Sequence, residues 1–285
     1  MQEVDFAEIH PSPIETIALH DSNSTIRVVD LPDKIKDEIW SALSPREKEK
    51  GKFRRYFLYK LDLPPLRLVI EKAPHHTSEI ESMRVKGHGA SRAVRIPHIL
   101  DVDLGYILGA IRDGGIHKDK KAKAFKVHFA QKDRSYLERE IVPRLEGLFG
   151  PELKPKIEQR TDGVHQIQFA SKPIYLFFSE VCQMKEIQQY WETPHLMITA
   201  PKTIKKAYIR GFHDAEGSSD HLYHSWYLEN GCEPLQFISD VLNREFHIRA
   251  TAPMRMKTSG DYDRFPAYQV FINDYDHFKK EILAR

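Results

Sequence analysis

The sequence predicts an α+β fold made of two pseudo-symmetric halves behind a small, mainly helical N-terminal domain. Two observations support this prediction. A ten-residue motif occurs twice in the chain of 285 residues, at 106–115 and at 208–217, and the same order of helices and strands follows each copy. A duplicated unit usually forms two similar halves around a shared core. We therefore expect a first half over residues 96–200 and a second half over residues 201–285.

Each copy of the motif is a mostly apolar run with a glycine in its middle and an acid followed by glycine at its end. The central glycines are Gly109 and Gly211, and the terminal acids are Asp113 and Glu216. Glycine inside a helix costs about 1 kcal/mol relative to alanine. Two helices that both carry this cost at the same point are expected to cross there with their backbones in contact. The terminal acids would then lie side by side at one end of the helix pair.

Periodicity predicts an αββαββα order in each half, with one strand whose position the pattern does not assign. Alternation in the first strand places Phe125, Val127 and Phe129 on one face and Lys126 and His128 on the other. The predicted first half contains a strand at 124–130, a helix at 135–149, a hairpin of 156–160 with 166–170 that turns at Asp162-Gly163, and a helix at 173–184. The predicted second half contains a strand at 222–228, a helix at 234–246, strands at 248–257 and 268–272, and a helix at 275–283.

Residues 1–95 form the predicted N-terminal domain. A short strand is expected at 25–29, followed by three or four short helices that begin near Pro32, after Ser44-Pro45, after Pro64-Pro65 and at Thr77. Short helices in a basic segment are compatible with a helix-turn-helix module, although small helical bundles of other function share this pattern. Residues 86–95 are expected to be a basic, flexible linker.

Bulk composition excludes several classes of protein. Hydrophobic residues make up 41% of the chain and charged residues 29%, which is ordinary for a globular protein. No run approaches the roughly 20 apolar residues of a membrane span, and residues 1–10 lack the basic start of a signal peptide. The two cysteines are too few for a disulfide framework or a structural zinc site. A cytoplasmic location without membrane contact is therefore expected.

Charge is unevenly distributed, although the formal net charge is only +2. Residues 1–45 carry a net charge of −6, residues 46–96 a net charge of +7, and residues 117–134 a net charge of +5. Separate basic stretches of this kind are typical of a surface that binds the phosphates of a nucleic acid. A solvated charged face is the alternative explanation.

The paired motifs, their spacing and the repeated order of elements resemble the monomeric LAGLIDADG family of homing endonucleases. The resemblance covers about residues 95–285 and is strongest at Tyr208 to Ser218. It implies two saddle-shaped antiparallel sheets over double-stranded DNA and a motif-helix interface between the halves. It also implies that the acids ending the motifs, Asp113 and Glu216, hold Mg²⁺ or Mn²⁺ and act as the catalytic residues. Carboxylate oxygens are suitable ligands for Mg²⁺, which stabilises charge on a phosphoryl group and activates water.

The first motif departs from this family pattern at its acid. Glu216 lies five residues after Gly211, whereas Asp113 lies four residues after Gly109 and Gly114 occupies the equivalent fifth position. One residue corresponds to about 100° around an ideal helix. Two interpretations follow: the first helix ends early and lets Asp113 reach the metal, or the first site has lost a ligand and cleavage is impaired.

Candidate DNA-binding residues lie in the basic stretch and on the strand faces opposite the core. Lysine, arginine and glutamine suit such a face, because they contact phosphates, guanine and adenine respectively. The candidates are Lys118, Lys120, Lys123, Lys126, His128, Gln166 and Gln168 in the first half, and Arg249, Arg255 and Lys257 in the second half.

Three functions remain compatible with this pattern. The first is a site-specific, Mg²⁺-dependent DNA endonuclease that works as a monomer. The second is a non-cleaving transcriptional regulator in which a degenerate LAGLIDADG domain joins a helix-turn-helix, and the third is an RNA-binding splicing cofactor, or maturase. The histidines near Glu216, His221 and His224, do not share a convincing metal-ligand spacing with it. No nucleotide-binding glycine loop is present, so no organic cofactor is expected.

Overall fold

The structure is a computed structural model, and it describes most of residues 94–284 together with a few segments before them. The described residues are 12–13, 26–28, 33–45, 48, 82–85, 94–97, 99–112, 114–119, 122, 124–186, 191–217, 225–228, 232–255 and 268–284.

The described segments before residue 101 contain more strand than the sequence predicts. Strand β2 and helix α1 agree with the expected strand at 25–29 and the expected helix near Pro32. Ser82 and Met83, predicted at the end of a helix, instead begin a strand, and the predicted linker ends in another strand. The elements are β1 (Ser12–Pro13), β2 (Ile26–Val28), α1 (Asp33–Ala42), β3 (Ser82–Val85), β4 (Val94–Arg95) and β5 (Ile99–Leu100).

These N-terminal strands pair with one another and with the start of the first half. Strands β2, β3 and β4 form an antiparallel sheet in that order, and β1 pairs with β5. Leu43, just after α1, is buried in the main core, and a guanidinium nitrogen of Arg95 donates to the carbonyl of Gly147 at 3.0 Å. The predicted helix-turn-helix falls mostly on residues outside the described ones, so it stays a prediction.

The first half has the predicted αββαββα order. Its first motif forms helix α2, and the strand that the sequence pattern did not assign, β6, follows directly after it. The next elements are β7 and the helical segment α3, which contains one π-helical turn. The bounds are α2 (Val102–Ala110), β6 (Gly114–Asp119), β7 (Ala124–Gln131) and α3 (Arg134–Tyr136, Leu137–Ile141 and Val142–Phe149).

A hairpin and a helix complete the first half. Residues Thr161 to Gly163 make the hairpin turn, as predicted, and Gly163 adopts a positive φ of 84° there. The four strands form one antiparallel sheet in the order β6-β7-β9-β8. The bounds are β8 (Ile157–Gln159), β9 (His165–Ala170) and α4 (Lys172–Leu176, continued as a π-helical turn over Phe177–Val181).

The described elements of the second half follow the order αβαββα from the second motif, which forms helix α6. Its described strands make a three-stranded antiparallel sheet in the order β10-β12-β11. The bounds are α5 (His195–Ile198), α6 (Lys202–Glu216), β10 (Ser225–Leu228), α7 (Glu233–Glu245), β11 (Met254–Arg255), β12 (Tyr268–Phe271) and α8 (Tyr275–Phe278, continued over Lys279–Leu283).

The core lies between the two motif helices and the helices and sheets that cover them. Among the elements that the structure describes, helices α2 and α6 make the most extensive contact. The largest fully buried side chains include Tyr208 and Phe212 on α6, and the rings of Phe149, Phe177 and Phe178 pack edge to face in the first half. In the described part of the chain, no helix is long and apolar enough to cross a membrane.

Candidate functional site at the ends of the motif helices

The two central glycines bring the motif helices into backbone contact, as the sequence predicts. A Cβ atom on Gly211 would overlap the carbonyl oxygen of Tyr106 and lie 3.2 Å from the amide nitrogen of Ala110. A Cβ atom on Gly109 would overlap the carbonyl oxygen of Tyr208 and lie 2.6 Å from the amide nitrogen of Phe212. The two sets of contacts are related by a constant shift of 102 positions along the chain. The halves therefore meet about a pseudo-twofold axis.

A pair of tyrosine contacts follows the same shift, with opposite charges on the two sides. The hydroxyl of Tyr106 donates to Oδ2 of Asp214 at 2.7 Å. The hydroxyl of Tyr208 accepts from a guanidinium nitrogen of Arg112 at 3.2 Å. Position 112 is the first-half counterpart of position 214. Asp214 of the second motif therefore corresponds to Arg112 of the first motif. This difference between Arg112 and Asp214 is present in the sequence repeat, but the repeat alone indicates no role for it.

The contact between Tyr106 and Asp214 should contribute measurably to stability. Tyr106 is almost fully buried, and burial together with the neighbouring Tyr136 and Asp214 raises the pKa of its hydroxyl, which therefore remains a donor. A hydrogen bond to a charged group contributes roughly 1.5–3 kcal/mol. We expect Tyr106→Phe to lower the free energy of unfolding by about 2 kcal/mol in urea denaturation. Tyr268→Phe, at the half-buried tyrosine of β12, is the control, and an equal loss in both variants would contradict the assignment.

The ends of both motifs meet at one corner of the first-half sheet. Nε2 of Gln131, the last residue of β7, donates to the carbonyl of Ala215 at 3.3 Å, so the end of α6 lies beside the end of β7. Gly114, which follows Asp113 in the chain, begins β6 and pairs with Phe129 of β7. Glu216 is the last residue of α6 and is half-buried. The corner therefore receives the terminal acid of the second motif, Glu216, and the residue that follows Asp113.

The two motif helices end differently. Helix α6 continues to Glu216, where the amide of Gly217 closes the last turn on the carbonyl of His213 at 2.7 Å. Helix α2 ends at Ala110, and residues 111–112 form a turn before β6. Asp113 itself lies outside the described residues. An early end of the first motif helix is what the first interpretation of the offset acid requires, and α2 ends at Ala110.

Carboxylate oxygens at this corner suit Mg²⁺ or Mn²⁺, which are hard cations with oxygen ligands. Within the described ranges, no three histidine, cysteine, aspartate or glutamate residues come together as a metal cluster. Glu216 is the carboxylate that the described structure brings to the corner.

One face of the first-half sheet is polar. Residues that lie opposite one another in neighbouring strands share a face, and His128 lies opposite Gln168 while Ala130 lies opposite Gln166. Val127 and Phe129 lie on the other face and are buried in the core. The polar face carries His117, Asp119, Lys126, His128, Glu158, Gln166 and Gln168, all half-buried or exposed.

The structure separates the predicted DNA-binding residues. Lys126, His128, Gln166 and Gln168 share the polar face, as expected from alternation. Nζ of Lys126 lies 2.9 Å from Oδ2 of Asp119, an acid on the same face that sequence analysis did not single out. Outside the described residues are Lys120, Lys123 and Lys257.

Lys118, a DNA-binding candidate because of its place in the basic stretch, does not share this polar face. Lys118 lies opposite Phe125, which places it on the core side of the sheet. There its Nζ is 3.5 Å from Oε1 of Glu186 and 5.5 Å from the centre of the Tyr175 ring. Its place in a basic run suggested a DNA contact, whereas strand alternation determines the face it occupies.

The second-half candidates also occupy different faces. Arg255 lies opposite Tyr268, which packs against the core, so its register places it on the core side at the exposed edge of the sheet. Arg249 is exposed, and its carbonyl accepts from the amide of Asn273 at 2.8 Å. Ala250, the next residue, pairs with the buried Ile272. Alternation therefore places Arg249 on the polar side of the second sheet.

His128 gives the polar face a measurable pH response. Burial lowers the pKa of His128, and the positive charges of Arg160 and His117 lower it further. The unfolded chain therefore binds a proton at His128 more readily than the folded chain does. The contribution of His128 to the free energy of unfolding is at its full value above the ordinary histidine pKa of about 6.5 and is lost as the pH falls below it. We expect His128→Gln to reduce the drop in urea midpoint between pH 7.5 and pH 5. A drop as large as that of the wild type would contradict this prediction.

These features define the class of fold. Two helices in glycine-mediated contact, an acid at the end of α6 and an antiparallel sheet in each half are the features of the LAGLIDADG fold. The chain has a LAGLIDADG-type fold.

Comparison with known proteins agrees with this class. No model of a known protein family matches the chain. It is 27% identical over 148 residues to the homing endonuclease I-ApeI of Aeropyrum pernix, a match that covers 50% of this chain and 65% of that protein. The chain thus matches a little under two thirds of the length of this curated relative.

Solved structures of I-DmoI share the fold. The crystal structure of I-DmoI in complex with DNA and Mn matches 65% of this chain and 98% of its own chain, with a TM-score of 0.50 and 22% identity. The complex of I-DmoI with DNA and Ca matches 65% of this chain and 91% of its own, with the same TM-score and identity. The prediction of an α+β fold of the LAGLIDADG type, with helices and antiparallel sheets, is therefore confirmed.

Proposed function

We propose that this chain is a site-specific DNA endonuclease that binds a long duplex target with its two halves and hydrolyses phosphodiester bonds in a Mg²⁺- or Mn²⁺-dependent reaction. The observation that carries this proposal is the convergence of both motif ends on one corner of the first-half sheet. The hydrogen bond from Gln131 to Ala215 brings Glu216 to this corner. Gly114, the residue after Asp113 in the chain, begins β6 at the same corner. Two acids at a pseudo-twofold axis suit the cleavage of two strands.

Glu216 and Asp113 are the proposed metal ligands and catalytic residues. When bound, the metal would stabilise charge on the scissile phosphate and lower the pKa of an attacking water. The protein's own part is to hold the carboxylates in place, because a rigid helix end fixes a ligand more precisely than a loop does. The backbone contact of α2 with α6 and the hydrogen bond between Tyr106 and Asp214 provide this rigidity on the second-half side.

The polar sheet faces are the proposed DNA-binding surface. Lys126, His128, Gln166 and Gln168 face the same way on the first sheet and offer both a cation and amide groups that can bind base edges. Arg249 lies on the polar side of the second sheet. The remaining candidates, Lys120, Lys123, Arg255 and Lys257, are also part of this proposal. Lys118 is not included, because it pairs with Glu186 on the core side.

The similar proteins named above support this function. I-ApeI is described as a homing endonuclease, and I-DmoI was crystallised with DNA and Mn or Ca. We also propose that the protein is a cytoplasmic monomer whose partner is double-stranded DNA. RNA is the alternative partner, and binding assays would compare the affinity for duplex DNA with the affinity for structured RNA.

The test is a cleavage assay on plasmids that carry the natural locus around the gene, with Mg²⁺, with Mn²⁺ and with EDTA. Linear product that requires the metal is expected from the wild type. Binding of the same locus should weaken steeply with salt, because it depends on phosphate contacts. Intact plasmid at salt concentrations where binding is demonstrated would overturn the endonuclease and favour the non-cleaving regulator.

A further inference from the structure

Asp119 and Lys126 form an ion pair on the polar face of the first sheet. Nζ of Lys126 lies 2.9 Å from Oδ2 of Asp119, and 27% and 25% of the two side chains are exposed. The other carboxylate oxygen of Asp119, Oδ1, accepts from the amide of Ala122 at 2.9 Å. Asp119 ends β6 and Lys126 lies in β7, so the acid is held both by the turn between these strands and by the lysine.

The neighbours of this pair on the polar face are small on two sides. Ala124 lies opposite Asp119 in the register of β6 with β7, and Ala170 of β9 lies opposite Lys126. An alanine side chain is too short to cover a charged group at the end of a longer one. The other cross-strand neighbour of Lys126 is the half-buried His117. The pair therefore presents an ammonium group and a carboxylate group together on the polar face.

Neither stability nor phosphate binding accounts for this arrangement. Partly exposed ion pairs contribute little to the free energy of unfolding. A lysine that only neutralised phosphates would bind DNA more strongly without an acid beside it, because phosphates and carboxylates repel each other. Phosphate contacts also carry no sequence information, whereas contacts with base edges do. An acid that fixes the lysine thus favours a base contact over a phosphate contact.

The donors and acceptors of the pair match one kind of base pair. In the major groove, guanine presents two acceptors, N7 and O6, and cytosine presents an amino donor, N4. A lysine can donate to the guanine, and an aspartate can accept from the cytosine. An ammonium has three donors and a carboxylate about four acceptor sites, so two such groups in mutual contact can also bind a third. An A·T pair in the same orientation would place thymine O4, an acceptor, against the carboxylate.

We propose that Asp119 and Lys126 act together as a specificity-determining pair that binds the major-groove edge of one G·C base pair in the target. The lysine contacts the guanine, and the acid contacts the cytosine while it holds the lysine in place. This inference rests on the proposed function, because it requires the polar face to contact duplex DNA. It adds an acid, Asp119, to a surface otherwise assigned from cations and amides.

The test measures DNA affinity in Ca²⁺ on the natural locus and on duplexes in which each G·C pair of the locus is replaced, one at a time, by A·T. A good base contact discriminates against the wrong base by roughly 10- to 100-fold. We expect one pair at which the wild type discriminates by this factor and at which both Asp119→Asn and Lys126→Met lose most of the discrimination. Asp119→Asn keeps the Oδ1 acceptor for Ala122 and removes only the charge. Discrimination at the other pairs should persist in both variants.

Inosine identifies the groove in which the contact is made. Replacing the guanine of the sensitive pair with inosine removes the amino group in the minor groove and keeps N7 and O6 in the major groove. The wild type should therefore bind the inosine duplex as tightly as the natural locus. A loss of affinity as large as that for the A·T replacement would place the contact in the minor groove and overturn the assignment.

The salt dependence of binding to a duplex of random sequence is the second readout. Each phosphate contact adds about 0.9 to the slope of log affinity against log salt. Asp119→Asn should steepen the slope by about this amount, because the released Lys126 can then neutralise a phosphate. Asp276→Asn is the matched control, since Nζ of Lys279 lies 3.2 Å from Oδ1 of Asp276 on helix α8, away from both sheets. This control should change neither the slope nor the base discrimination.

Unchanged discrimination at every base pair in Asp119→Asn would overturn the inference and leave Asp119 as a turn residue only. Loss in just one of the two variants would overturn it as well, because each partner supplies part of the pattern. If Asp119→Asn does not fold, Lys126→Met decides alone, since it leaves the bond to Ala122 in place. A wild type that discriminates as expected but leaves its locus uncut would overturn the endonuclease and keep the specificity pair. A wild type that binds the locus no better than random duplex would overturn both.

Discussion

Replacing Gly211 with alanine is expected to lower the free energy of unfolding by about 3 kcal/mol, at the upper end of typical overpacking effects. The added Cβ would overlap the carbonyl oxygen of Tyr106 in the neighbouring helix. That atom belongs to the backbone of α2, so relief requires the two helices to move apart. Gly109→Ala should behave alike, because its Cβ would overlap the carbonyl oxygen of Tyr208. Urea denaturation measures the effect as a lower midpoint.

Gly147→Ala provides the matched control for this prediction. Gly147 lies inside α3, and a Cβ atom there would meet nothing within 4 Å. Alanine is favoured over glycine inside a helix by roughly 0.5–1 kcal/mol, so this variant should be as stable as wild type or more stable. Equal stability of Gly211→Ala and Gly147→Ala would show that the motif helices do not cross at these glycines.

Glu216→Gln is expected to reduce single-turnover cleavage by roughly 10³-fold while leaving DNA affinity in Ca²⁺ close to that of the wild type. The amide keeps the shape of the side chain but removes the charge that a divalent cation requires. Because Glu216 ends α6 at the corner where both motifs meet, its loss should affect the cleavage of both strands more than it affects folding. The assay uses both labelled strands and separates nicked from linear product.

Glu138→Gln is the control for the loss of a carboxylate. Glu138 is on the surface of α3, and its ion pair with Arg134 at 2.8 Å is about half exposed on both sides, so it contributes little to stability. Its substitution should leave cleavage unchanged. Undiminished cleavage by Glu216→Gln would remove Glu216 from the metal site and leave the endonuclease without its best-placed ligand.

Features with a strong local signal were predictable from the sequence. The central glycines predicted the helix crossing, because glycine is unfavourable inside a helix and its presence there indicates a close backbone contact. Alternation from Phe125 to Phe129 predicted β7 and its two faces, and the Asp162-Gly163 turn predicted the hairpin of β8 and β9. These elements are determined by residues that are close together in the chain.

Features that depend on distant residues were not predictable in the same way. Strand β6 contains two glycines and three charged or histidine side chains, so its pattern does not resemble a strand until it pairs with β7. The face that Lys118 occupies depends on the same pairing. The roles of Tyr106 and Arg112 depend on contacts across the pseudo-twofold axis. The roles of Asp113 and of the DNA-binding candidates stay predictions.

The opposite charges at positions 112 and 214 have a consequence for recombining the two halves by protein engineering. A symmetric dimer of either half would place the same charge twice at the helix crossing, two arginines or two aspartates against the facing tyrosines. The present chain instead uses Asp214 against Tyr106 and Arg112 against Tyr208. A chimera that joins one of these halves to a foreign partner would therefore need its crossing residues redesigned together, even when the glycines match. Because the two halves belong to one polypeptide, the two sides of the crossing can carry different residues, as they do here.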